Sequence, residues 1–169
     1  MEDTNRRGGA DHAYRVVVEP YQPGFGLQAA AEKVDAPQNG VFVVKVTSAR
    51  RDYNGPINLS VDGAGEGCTV RQNVIPEGKN ETTMHVTLGS PLAAGQMSTV
   101  TISGQAKIGE TEFRTSASTL GALRGALAGL PFPPAVLDGS LALGVGPVFP
   151  QFFQLVAATP NVSLLKAGD

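Results

Sequence analysis

The chain has 169 residues, 41% of them hydrophobic and 17% charged, with a formal net charge of −2. That length and apolar content fill one core of ordinary size. The lack of a basic excess argues against nucleic acid as a partner, and no stretch approaches the ~18 apolar residues of a membrane span, so membrane insertion is not expected.

In chain order, Asp3 to His12 is polar and Gly-rich and reads as a loop. Tyr14-Arg15-Val16-Val17-Val18-Glu19 reads as a strand closed by Pro20. After the Pro23-Gly24 turn signal, Phe25 to Val34 is weaker, with Leu27, Ala29 and Ala31 alternating through an Ala-rich centre. Val41 to Thr47 is rich in β-branched residues, and Phe42, Val44 and Val46 share a face. Asn54-Gly55-Pro56 breaks the chain. Ile57 to Asp62 then alternates apolar and polar without a fault, the period-2 pattern of a strand with one buried and one wet face.

The loop Gly63 to Gly67 leads to a short strand at Cys68-Thr69-Val70, and Pro76-Glu77-Gly78 turns the chain again. Thr83 to Leu88 alternates, directing Met84, Val86 and Leu88 inward and His85 outward. Ser98 to Ser103 alternates as well. Lys107-Ile108-Gly109-Glu110 followed by Thr111 to Thr115 reads as a hairpin. Short alternating strands separated by turns, with no amphipathic helices between them, give the expected class. It is all-β, an immunoglobulin-like antiparallel β-sandwich with a short helical and Pro-rich C-terminal extension.

Residues 116–151 carry only two charges, Arg124 and Asp138. Leu120, Leu123, Leu127 and Leu130 fall at helical spacing. Pro131 to Pro134 reads as an extended linker, and Leu141-Ala142-Leu143 as an added strand. Phe153 to Pro160 restates Tyr14 to Pro20: an aromatic, an apolar run and a closing proline. The expected division is therefore 1–20 as the end of a preceding module or a leading strand, 21–118 as the sandwich, 119–151 as an apolar connecting segment, and 152–169 as the start of a following module.

Site chemistry is sparse. One cysteine, Cys68, makes neither an intrachain disulfide nor a zinc site and reads as a small core residue. His12 and His85 lack the partners of a catalytic base, and the carboxylates Glu19, Asp35, Asp62, Glu66, Glu77, Glu81, Glu110 and Glu112 are scattered. Asp3, Asn5 and Asp11 offer oxygen ligands suited to calcium, without the spacing of an EF-hand. Tyr21 and Tyr53 are the candidate platforms for a sugar. Arg50 and Arg51 read as solvated surface. No catalytic residue, metal site or cofactor is assigned.

Tyr53-Asn54-Gly55-Pro56-Ile57-Asn58-Leu59-Ser60-Val61, with Ile75-Pro76-Glu77-Gly78-Lys79-Asn80-Glu81, is similar to a bacterial immunoglobulin-like repeat. The segment Asp3 to Gly9, continuing to Tyr14-Arg15-Val16, resembles the end of a pre-peptidase C-terminal domain. Leu123 to Gly139 resembles a connection between such repeats. One departure is the loop Ala64-Gly65-Glu66-Gly67-Cys68, where the repeat has an apolar residue and a proline before Gly and Val. The resemblance implies a non-enzymatic structural or spacer module of a multidomain secreted or cell-envelope protein, with neighbouring domains of the same chain as its partners. The alternative is an adhesion module that binds a polysaccharide or protein.

The alternation makes Leu59 a core residue. Leu59→Ala is expected to cost about 2–5 kcal/mol in denaturant unfolding, and an unchanged midpoint would remove Leu59 from the core.

Overall fold

Burial follows the sequence alternation strand by strand. The computed structural model describes residues 21–130 and 132–149; the predicted strands at 14–19 and 153–160, the proposed calcium ligands and His12 lie outside them. Ten strands are present among the described residues: β1 (Gly24–Ala29), β2 (Lys33–Pro37), β3 (Val41–Arg51), β4 (Ile57–Asp62), β5 (Thr69–Arg71), β6 (Val74–Ile75), β7 (Glu81–Thr87), β8 (Met97–Ile108), β9 (Thr111–Ser118) and β10 (Leu141–Gly146). A one-and-a-half-turn to two-turn helix, α1 (Leu120–Ala126), and a 3-10 turn (Ala135–Leu137) lie between β9 and β10. The chain is all-β.

The strands form one hydrogen-bonded network in the order β2-β10-β8-β9-β1-β3-β7-β5, with β4 pairing β8 and β6 pairing β4. The expected wholly antiparallel pairing is corrected at two places: β1 runs parallel to β9, and β2 runs parallel to β10. The cause is visible in the register. Ser116 of β9 faces Ser103 of β8. Counting on antiparallel, residue 119 would face Val100, and Leu141 of β10 faces it instead. β9 and β10 therefore occupy one lane beside β8, interrupted by the excursion 119–140. β1 and β2 form the neighbouring lane, pairing Leu27 with Ala117 and then Lys33 with Ala142. Both parallel pairings belong to one ladder that spans the interruption.

Inward side chains from the whole network form a single buried cluster. Phe42, Val44 and Val46 of β3 face inward beside Met84 and Val86 of β7, as the alternation requires. Ile57 and Leu59 of β4 and Val100 and Ile102 of β8 are buried in the same cluster. Val61, near the end of β4, is only partly buried. The network curls so that β1 reaches β8 although β9 separates them in the pairing order. At the crossing, a side chain on Gly104 would collide with the Leu27 side chain and press on Ile57 and Leu59. Only a residue without a Cβ leaves room for Leu27 there.

Strand β10 contributes Leu141, Leu143 and Val145 to that cluster. The end of the apolar connecting segment thus pairs with the sheet and fills part of its core. Its amides are tied on both sides: Ala142 N–H donates to Glu32 O and Val145 N–H to Gln96 O. The Gly-rich loop after β4 buries Ala64, and Gly63 takes a positive φ of 88° with its α-carbon side facing the Thr99 carbonyl. A side chain there would meet backbone, so the departure from the repeat pattern has its own packed solution.

Because Leu143 is fully buried, Leu143→Ala should cost as much as a core leucine in β4, about 2–5 kcal/mol. A loss under about 0.5 kcal/mol in chemical denaturation, the size of an ordinary surface change, would place β10 outside the cooperative core.

Candidate functional site

The excursion between β9 and β10 is held shut at its base by a small polar clasp. Ser118 and Thr119 leave β9 where Asp138 and Gly139 come back. One Asp138 carboxylate oxygen accepts the Ser118 hydroxyl at 2.7 Å and the Thr119 N–H at 2.9 Å. The Thr119 hydroxyl, fully buried, donates to Leu137 O at 3.1 Å and accepts the Gly139 N–H at 3.1 Å. A buried hydroxyl with both roles satisfied adds to stability, whereas the same group left unpaired would cost it. Burial pushes the Asp138 carboxyl up, but the hydrogen bonds from Ser118 and from the Thr119, Gly139 and Leu120 backbone outweigh it and hold the pKa below the ordinary carboxylate range.

Beyond the clasp, the excursion is apolar. The leucine periodicity forms α1, but only Leu123 is buried, and the helix packs against β1. Leu127 closes the helix as its C-cap through an N–H bond to Leu123 O. A groove of 380 Å³ lies beneath the helix, lined in part by Leu123, Leu127, Leu137, Thr99 and Ala142. On the outer side, Phe132 and Val136 are each 85% exposed, and Leu130 and Leu137 are 49% and 42% exposed. These are four large, partly or fully exposed apolar side chains on one excursion, where Arg124 is the single charge between residues 119 and 137. The two ends of the excursion are joined.

A second groove, of 540 Å³, lies at the far end of β10. Its lining includes Pro37, Met97, Val145 and Phe149, with Asp35 as its carboxylate. The Asp35 carboxylate lies across Gly144, in the space a side chain would take.

The residues singled out from sequence fall into structural places. His85 stands in cross-strand register with Val43 and Arg71, neither of which supplies the carboxylate that orients a catalytic imidazole. Cys68 is half-buried against the core, the small-hydrophobe position. Among the described residues, no group of three or more His, Cys, Asp and Glu side chains is placed to hold a metal ion. Tyr21 is exposed, and its hydroxyl donates to Asp52, which holds the phenol pKa above its ordinary value. Arg51 stacks 5.7 Å from the Tyr21 ring. Tyr53 is turned inward: its ring packs on Phe25 and its hydroxyl donates to Pro56 O at 2.8 Å. The two tyrosines therefore do not present a pair of exposed rings.

Arg50 corrects the reading of Arg50-Arg51 as solvated surface. Its guanidinium donates to the carbonyls of Tyr53, Gly55, Pro76 and Lys79 at 2.7–3.4 Å. Those four carbonyls belong to the two turns that carried the family resemblance, and Gly78 N–H reaches Asn54 O between them. The motif is a built turn pair, with Arg50 as the group that satisfies it. No protein-family model matches the chain, and no curated protein matches it.

The clasp has a pH signature. A carboxyl whose folded pKa lies below its unfolded one contributes stability above the unfolded value, near about 3.9 for aspartate, and loses it as pH falls through the folded value. Asp138→Ala is expected to lower Tm at pH 7, with the gap to the parent closing as the pH drops below 4. A gap that stays constant across that range would mean the carboxylate contributes nothing through its charge.

Proposed function

We propose that this chain is an immunoglobulin-like β-sandwich module acting as a non-catalytic spacer in a larger bacterial secreted or cell-envelope protein. In this reading its clasped apolar excursion seats against a neighbouring domain of the same polypeptide. The observation that carries the reading is the pairing of a rigid base with an apolar outer side. Buried Thr119 and half-buried Asp138 fix the ends of the excursion, while Phe132 and Val136 stand in solvent. Side chains that stabilised only this module would be buried in it. Contacts between domains of one chain are modest and mixed in polarity, commonly 600–1,500 Å², and four partly exposed large apolar residues suit a patch of that class.

Other features support a structural role. The turn pair similar to the immunoglobulin-like repeat is fastened by Arg50 to backbone atoms, which serves shape and leaves no group for chemistry. Leu27 seated over Gly104 brings β1 against β8, the face-to-face approach that a sandwich requires. No helix among the described residues is long and apolar enough to cross a membrane.

Two results are expected, the first from the double variant Phe132→Ser/Val136→Ser and the second from a crosslinker placed at position 132. The double variant's unfolding free energy should match the parent within about 0.5 kcal/mol, since neither residue is in the core. A photo-crosslinking amino acid at position 132, in the polypeptide as its native host makes it, should join the excursion to another part of the same polypeptide. Crosslinks only to a different polypeptide would replace the spacer reading with adhesion, and none at all would discard the docking role.

A further inference from the structure

The described chain enters and leaves the sheet on strands that point the same way. β1 is the first described strand and β10 the last. β9 and β10 run in one direction along the lane beside β8, and β1 and β2 run parallel to them. The chain therefore enters at Gly24, at one end of the sheet, and leaves past Gly146, at the other. At ~3.3 Å per residue these points lie roughly 30 Å apart along the strands. Tension between them pulls β1 and β10 lengthwise in opposite directions.

Among the described residues, neither of these two strands lies at an edge. β1 is bonded between β9 and β3, and β10 between β8 and β2. Sliding β10 toward its exit must break the ladder with β8 over Leu141 to Gly144 and the ladder with β2 over Ala142 to Gly146. The bonds from Ala142 N–H to Glu32 O and from Gln38 N–H to Gly146 O close the two ends of the β2 ladder. The same slide drags Leu141, Leu143 and Val145 out of the core. β1 is gripped likewise: β3 pairs it from Gly24 to Ala29, and Leu27 is seated over Gly104. Ladder bonds run between strands, so a lengthwise load strains them all together. A load across one end of the sheet opens them pair by pair.

We propose that this module bears tension, with β1 and β10 as the two grips that keep it folded when its ends are pulled apart. A spacer whose chain enters and leaves at opposite ends of the sheet passes tension through itself, so this use rests on the spacer reading. The shear geometry does not, being a property of the sheet alone. Resistance to force is set by the barrier to unfolding and not by equilibrium stability. The direction of pull therefore decides the outcome in one and the same protein.

The test is single-molecule force spectroscopy on the full chain, with handles attached through cysteines at exposed positions. Gln22→Cys/Val148→Cys pulls along the strands. Ala94→Cys/Val148→Cys pulls across them, because Ala94 lies beside the exit of β10, where Gly95 N–H bonds Val145 O and Met97 stands opposite Gly144. Both variants also carry Cys68→Ala, so the effect of that change is common to the two. At one loading rate the lengthwise pair should unfold at several times the force of the crosswise pair. Equal forces, or a weaker lengthwise pull, overturn the proposal. Either result leaves the spacer reading standing, since a spacer can hold its neighbours apart without load. The spacer reading fails by its own crosslinking test at position 132, which reads partners and not force.

Discussion

The structure depends on a threonine hydroxyl that is shut away from water. Thr119 stands where β9 would have continued beside β8, and its buried side chain is bonded on both sides by the returning strand, at Leu137 O and Gly139 N–H. With Asp138 holding Ser118 and the Thr119 amide, these contacts bring residues 118 and 139 together. That closure lets Leu141 enter opposite Val100 in the register that β9 left. A single lane of the sheet is thereby built from two segments, and Leu141, Leu143 and Val145 reach a core they could not otherwise fill. The ends of the excursion are fixed by polar contacts, and between them Leu123 anchors α1 against β1.

What could be read from sequence follows from how plainly burial alternates. β4 was legible to the residue, because Ile57, Leu59 and Val61 are separated by Asn58, Ser60 and Asp62. β3 and β7 were legible in face for the same reason, though β3 runs four residues past Thr47 to Arg51. The split of Phe25 to Val34 into β1 and β2 was not, because alanines on both sides of the break blur the period. β10 was suspected only over Leu141 to Leu143 and assigned to a connection. Its outward positions are Ala142, Gly144 and Gly146, so small residues stand where polar ones would have shown the alternation. The two-residue β6 offers too few positions for any period. Parallel pairing was also hidden, since alternation specifies a face and not a neighbour.

The candidate surfaces were legible to different degrees. The poverty of charge between residues 116 and 151 marked the excursion as unusual, but its closure rests on Thr119 and Asp138, two ordinary residues far apart in sequence. Arg50 looks like any surface arginine until the turns it bonds are folded beside it. The polar face of β4, β8 and β9 shows only when register places Asn58, Gln105 and Arg114 in one row. Each strand alone reads as a normal wet side. In physical terms, the chain devotes one set of side chains to a continuous core and leaves an apolar looped surface and a polar sheet face.

The account turns on β10 belonging to the same cooperative unit as β8, and native-state amide hydrogen exchange on the full chain tests this most directly. The amides of Ala142 and Val145, which donate to Glu32 and Gln96, are predicted to exchange only through the opening that exposes the amides of Ile102 and Ser103. Their protection should then fall with denaturant along the same line as those of β8. Exchange of Ala142 and Val145 at the rate of exposed loops, while β8 stays protected, would contradict the account and make residues 141–146 an accessory to a core that closes without them.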